Sequence, residues 1–74
     1  MTFQQLYNIE KAKAGGRPSE FLQRVAVAAI VSTDTVYQWA LGWRNPGRAA
    51  AKMAADELGM DVEVLFPNLK TPRQ

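Results

Sequence analysis

Polar residues between positions 33 and 38 are the first feature of this sequence that suits a specific chemistry. Four of them recur at intervals of three and four: Thr33, Asp34, Tyr37 and Gln38. Such spacing puts all four on one face of a helix. Hydroxyl, carboxylate and amide groups can pair with base edges in the major groove of DNA. A helix whose inner face is fixed by packing can present this polar strip to a groove.

The charges are segregated along the chain. Residues 1–54 carry seven basic and three acidic side chains, a net charge of 7 − 3 = +4, whereas residues 55–69 carry four acids and no base. This segregation suits a protein that presents one face to an anionic polymer. The alternative is chance clustering on a solvated surface.

The composition argues against several other classes of protein. The chain has no cysteine and no histidine, so thiolate and imidazole metal ligands and the commonest general base are missing. We therefore expect no enzymatic activity, no metal, no cofactor and no small-molecule substrate. No apolar run approaches 18 residues and the start is unlike a signal peptide, so we expect a cytoplasmic protein without a membrane partner.

The elements that would position the polar strip are helical. Phe3, Leu6 and Tyr7 have helical spacing, and Thr2 with Gln5 matches a capping box. The sequence predicts that this first helix ends at residues 15–16, a pair of glycines. A second helix is expected to open with Pro18 in its first turn and Ser19 as its cap, and to end at Ala28 or Ala29. Its inner positions are Leu22, Val25, Ala26 and Ala29.

The third helix, which carries the polar strip, follows a short turn at residues 30–31. Ser32 is its predicted cap, Val36 and Trp39 its buried stripe, and Gly42 its end. Trp43 is expected to fold back onto the last turn. Both tryptophans could stack on bases, as in single-strand binders, but the spacing of Trp39 with Val36 favours the core.

Two further helices complete the predicted bundle. The fourth is expected to begin at the pair 45–46 (Asn-Pro) and to reach Leu58, before Gly59. Its expected inner residues are Ala50, Met53, Ala54 and Leu58, with Ala49 as a further candidate. Asp61 is the predicted cap of a short fifth helix over 62–66, which Pro67 ends. The sequence thus predicts one all-α domain over 1–67, a compact bundle of four to five short helices, with a flexible tail over 68–74.

The stretch Val25-Ala-Val-Ala-Ala-Ile-Val-Ser-Thr-Asp-Thr-Val-Tyr-Gln-Trp-Ala-Leu-Gly42 resembles the helix-turn-helix of phage Cro and repressor proteins, the XRE type. Residues 45–46, 54–59 and 64–67 resemble the later helices of that family. The resemblance implies a lambda-repressor-like fold and a small transcriptional regulator of phage or prophage type that binds double-stranded DNA through the third helix. One departure is Ile30, where the family usually has glycine at positive φ. The turn is therefore either built differently or strained.

The resemblance also implies which side chains meet the bases. Thr33, Asp34 and Gln38 would face the major groove. Gln38 can pair bidentately with adenine, and Thr33 can touch a thymine methyl or a phosphate. Asp34 can accept from cytosine, although phosphates repel it; alternatively its charge only favours the helix start.

Contacts to the DNA backbone are expected from a second set of residues: Arg17, Ser19, Ser32, Tyr37, Arg44, Asn45 and Arg48. All of them except Tyr37, which lies on the third helix, flank that helix, and free amides at helix starts bind anions. Leu22 stands where the family often has a polar phosphate-contacting residue. Two alternatives remain open. The arginines could serve solely to keep the protein soluble, and the Tyr37 side chain could pack on Trp43.

The functional expectation has two forms. A DNA-binding unit of this size reads few base pairs, so a homodimer on DNA is one expectation, with a monomeric module or cooperative binding as alternatives. Candidate dimer residues are Val62, Leu65, Phe66 and Leu69. The other function is that of a helical protein–protein interaction module, such as an antitoxin or anti-repressor component.

Overall fold

The computed structural model describes residues 1–67 of the chain, and the described part is all-α, as predicted. The five helices are α1 (Phe3–Ala14), α2 (Ser19–Ala29), α3 (Thr33–Leu41), α4 (Arg48–Leu58) and α5 (Val62–Leu65). The residues described contain no strand. None of the helices in this part of the chain is long and apolar enough to cross a membrane. The predicted tail, 68–74, lies outside the described residues.

The helices pack around α2, which contacts both α3 and α4, while α1 packs on α3 and α5 on α4. Four aromatic side chains join these layers. Phe3 stacks on Phe21 and on Phe66, with ring centroids 5.8 and 5.3 Å apart, and Trp39 meets Phe3 and Phe66 edge-on. The core thus fixes the inner side of α3 against α1 and the end of α5.

Several predicted helix ends are confirmed. Thr2 and Gln5 form the full capping box of α1, and glycines in the left-handed conformation follow α1, α3 and α4. The Ser32 hydroxyl accepts from the Thr35 amide at the start of α3, and Asp61 caps α5. These signals depend on neighbours within three residues, so they can be recognised in the sequence.

The predicted start of α2 is wrong in detail. Ser19 is the first helical residue rather than the cap, and Pro18 stands in the cap position without a side-chain hydrogen bond. The Ser19 amide donates to the Arg17 carbonyl at 2.9 Å, which makes a three-residue turn before the helix. The inner positions predicted for α2 are all buried, and Phe21 joins them.

The predicted start of α4 is also wrong. The helix begins at Arg48 after Gly47, and Pro46 is buried in the linker instead of opening the helix. The inward face is therefore shifted from the predicted one. Its buried residues are Ala51, Ala54 and Ala55, whereas Ala49 is exposed and Ala50, Met53 and Leu58 are half-buried.

The turn between α2 and α3 resolves the question that Ile30 raised. Ile30 has φ 59° and ψ 49°, in the left-handed region where glycine is usual. Its amide donates to the Val27 carbonyl and the Val31 amide donates to the Ala26 carbonyl, as in a glycine-ended helix. The turn thus has the backbone geometry of a glycine-ended helix, built with a β-branched residue that is strained there.

The predicted dimer surface is largely used up by the core. Leu65 is 1% exposed and Phe66 packs on Phe3, while Val62 is half-buried against the same cluster. A chain this short has few large apolar side chains with which to fill its interior. Leu69 lies outside the described residues.

Candidate nucleic-acid interface

The outer side of α3 carries the polar strip that the sequence predicts. Its inner side, Val36, Trp39 and Ala40, is buried. Thr33 and Asp34 are exposed at the N-terminal end of the helix. Tyr37 and Gln38 continue the strip one turn further, where both are half-buried. The packing of α3 therefore leaves the end near Thr33 open to a ligand.

Arg17 reaches this face from the loop between α1 and α2. Its Nη2 lies 3.6 Å from Asp34 Oδ1, and its guanidinium carbon lies 4.1 Å from the centre of the Tyr37 ring. Both arrangements are attractive, the second as a cation–π contact. The ion pair is exposed on both sides, so it contributes little to stability. Its consequence is local: an arginine partly offsets the carboxylate that would meet phosphates.

Tyr37 packs on Tyr7 and Arg17 rather than on Trp43, which was the expected alternative to a DNA contact. Its ring meets Tyr7 of α1 edge-on, with centroids 6.1 Å apart, and lies beneath Arg17. Tyr7 is buried, and this burial raises the pKa of its hydroxyl, with a smaller contribution from Tyr37 and an opposing one from Arg17. The pair therefore ties the polar face to α1.

A second arginine lies at the other end of the polar strip. Arg44 Nη1 donates to Gln38 Oε1 at 3.5 Å, a long and weak hydrogen bond between exposed groups. The Gln38 carbonyl also accepts from the backbone amides of Trp43 and Arg44. Gln38 thus has its amide group near an arginine that follows the helix.

A surface depression joins the start of α2 to the start of α3. Its volume is about 390 Å³, and it is lined by Arg17, Ser19, Leu22, Gln23 and Thr33. Three residues predicted for DNA contacts therefore lie together. Gln23 was not predicted; its signal in the sequence is a polar residue directly after the inward-facing Leu22. Leu22 itself is 1% exposed and belongs to the core.

The remaining predicted backbone contacts are placed differently. Asn45 and Arg48 are exposed around the start of α4, where Gly47 provides no side-chain cap. The first amides of α4 are therefore not satisfied by a capping side chain. Ser32 is exposed, but its hydroxyl is engaged with the Thr35 amide and hydroxyl, so it serves the helix first.

Trp43 departs most clearly from its prediction. Its side chain is 74% exposed instead of folding back onto α3. Its amide does complete the glycine-ended turn by donating to the Gln38 carbonyl at 3.0 Å. In such turns the side chain packs when the residue five positions earlier is apolar, and here that residue is the polar Gln38. That polarity was a usable signal in the sequence.

No protein-family model, no curated protein and no solved structure matches this chain. The functional assignment therefore depends on the chain's own residues and their placement.

Proposed function

We propose that this protein binds double-stranded DNA sequence-specifically, as a small transcriptional regulator of the Cro and repressor type in the cytoplasm. In this proposal α2, the strained turn and α3 act as a helix-turn-helix, and α3 lies in the major groove. The observation that supports it best is the outer face of α3. That face is polar and has an arginine at either end, Arg17 near Asp34 and Arg44 near Gln38.

Three of the four polar groups of this face would read the bases. Gln38 would pair with adenine through its amide, and Thr33, at the open end of the helix, would contact a thymine methyl or a phosphate. Asp34 would accept from the amino group of cytosine. Its pairing with Arg17 supports that role, because the guanidinium offsets the repulsion between the carboxylate and nearby phosphates.

The contacts that position the protein would come from the two sides of α3. On one side lies the depression with Arg17, Ser19 and Gln23, and on the other the linker and helix start with Arg44 and Arg48. Such contacts fix orientation on the duplex and carry no sequence information. Asn45 would add a neutral contact, and Ser32 and Tyr37 would do so after rearranging their present contacts.

Two copies on DNA remain part of the proposal, since one domain of this size spans only a few base pairs. Because Leu65 and Phe66 are core residues, the pairing would depend on other surfaces or on cooperative binding to neighbouring half-sites.

A protein–protein interaction module is the second candidate. It is favoured by Asp34, whose side chain is 85% exposed at the N-terminal end of the proposed interface. A carboxylate in that position suits a basic protein surface better than a phosphate backbone.

A salt titration with mixed genomic duplex separates the two candidates. DNA binding through about four to six phosphates gives a slope of log K against log salt of roughly −4 to −5. A duplex carrying a preferred site should bind more tightly than mixed duplex at the same salt. Absence of binding to any duplex at low salt would favour the protein-partner function.

A further inference from the structure

We propose that Trp43 is an uncharged contact to the sugar–phosphate backbone of DNA, placed beside the groove that α3 enters. This inference rests on the proposed function. It adds an uncharged aromatic contact to those of the polar strip and the arginines. It also predicts a contribution to the affinity for DNA that does not depend on the salt concentration.

The indole of Trp43 is exposed on a backbone that is held in place. Gly42, at φ 81°, turns the chain, and its amide donates to the Trp39 carbonyl while the Trp43 amide donates to Gln38. The side-chain amide of Gln4, on α1, occupies the space beside Gly42. The backbone at Trp43 is thus fixed by hydrogen bonds to the end of α3, and Trp39 anchors that helix in the core.

A largely exposed tryptophan side chain contributes little packing to the fold. Aromatic side chains are the usual anchors of interfaces, because they offer a large contact area at little cost in side-chain entropy. With 74% of its surface exposed, Trp43 keeps that area for a ligand.

The surrounding charges favour a polyanion as the ligand. Arg44 and Arg48 lie within five positions of Trp43 along the chain and no acidic residue does, whereas Lys52, further on, is paired with Asp56 at 3.2 Å. Another exposed apolar residue provides a contrast. Val27 is 73% exposed, but the depression that it borders holds the carboxylates of Glu20 and Glu57 against a single arginine, which is already paired with Glu57. Of these two exposed apolar side chains, Trp43 is the one whose surroundings complement phosphate groups.

The chemistry of indole fits a deoxyribose next to a phosphate. The ring face packs on the apolar edge of the sugar, and the indole N–H, which can only donate, suits a phosphate oxygen. Because the contact is uncharged, it releases no counterion. The expected slope of log K against log salt is therefore the same with and without the indole.

The first test compares Trp43→Ala with Arg48→Ala in duplex binding. Trp43→Ala should weaken binding to all duplexes by about 5- to 10-fold and leave the salt slope unchanged. Arg48→Ala, the matched control, should flatten the slope by about one unit. If Trp43→Ala binds every duplex as the parent does, the inference is wrong and the proposed function stands.

The second test uses tryptophan fluorescence of the parent protein, which needs no destabilising change. Trp39 is 5% exposed, so Trp43 accounts for the emission that acrylamide quenches. Duplex should protect that emission from acrylamide, and Trp43→Phe should abolish the effect.

Two outcomes contradict the inference in different ways. Duplex that binds while Trp43 stays fully quenchable overturns the inference alone, as does protection that appears on concentrating the protein without DNA, which would assign the indole to a second copy. Failure of the parent protein to bind any duplex overturns the proposed function as well.

Discussion

Gln38 is the residue on which sequence-specific recognition most depends, since a side-chain amide can make two hydrogen bonds to adenine. Gln38→Ala should reduce discrimination at one base pair by about 1–3 kcal/mol. The measurement is binding to a set of duplexes with single substitutions. Asn8→Ala, which removes an exposed amide on α1, is the control and should change nothing. An equal loss on every duplex would show that Gln38 does not read a base.

Ile30 stores backbone strain at the turn before α3. Left-handed φ and ψ cost a β-branched residue about 1 kcal/mol, whereas asparagine tolerates them. Because Ile30 is 80% exposed, its replacement removes little packing. Ile30→Asn should therefore raise the free energy of unfolding by about 1 kcal/mol in urea denaturation. Ile30→Val keeps the branched Cβ and should give no gain. A less stable asparagine variant would mean that the isoleucine side chain contributes to folding.

Tyr7 makes the free energy of unfolding depend on pH in the alkaline range. Burial raises the pKa of its hydroxyl above the ordinary value of 10.0. The unfolded chain therefore loses this proton first as the pH rises past about 10, and the free energy of unfolding falls from there towards the folded-state pKa. Below that range the contribution is fully present.

Tyr7→Phe keeps the ring against Tyr37 and removes the ionisable group. Denaturation between pH 8 and 11 should show a shallower decline for this variant than for the parent. Identical declines would assign the alkaline loss to other groups.

At the scale of the helices, Trp39 fixes α3 in the bundle by meeting two phenylalanines edge-on. Trp39→Ala should lower the free energy of unfolding by about 3–5 kcal/mol, and Trp39→Phe by much less. Circular dichroism during denaturation measures both. A well-folded alanine variant of near-parental stability would place Trp39 outside the core.

The helices that the sequence predicts best are those whose ends depend on local hydrogen bonds. The capping box at Thr2 and the serine cap at residue 32 lie where expected. The starts of α2 and α4 were misplaced because each follows a proline. A proline there can open a helix or stand before it, and the burial of Pro46 by the rest of the chain decides which. The inward face of α4 was predicted in part, since Ala54 is buried and Ala50 and Leu58 pack against the core, whereas the buried Ala51 and Ala55 were missed.

The candidate site was predictable in its residues but less so in its contacts. Helical spacing and the family resemblance placed Thr33, Asp34 and Gln38 on the outer face, where the structure has them exposed or half-exposed. The pairing of Arg17 with Asp34 across 17 positions depends on how the loop after α1 packs on α3. Trp43 is exposed because Gln38, the residue on which it would pack, is polar. The glycine that ends α3 does not reveal this by itself, since packing depends on residues 38 and 43 together.

At the scale of the whole molecule, basic and acidic side chains are segregated along the sequence, and the structure shows where the acidic ones lie. The acidic side chains lie in the last turn of α4 and around α5. One of those in α4, Glu57, pairs with Arg24 at 2.7 Å. The outer face of α3 has arginines at its ends instead. The proposed orientation on DNA therefore turns α3 towards the duplex and leaves the acidic end of α4 and α5 away from it.

The most direct test of the central claim, that the outer face of α3 lies in the major groove, is amide chemical-shift mapping with a duplex selected from a random pool. We expect one enriched sequence, with the largest shifts at residues 33–38 and smaller ones at 17–19 and 44–48. Recovery of no preferred duplex, or shifts confined to α5 and the last turn of α4, would contradict the account.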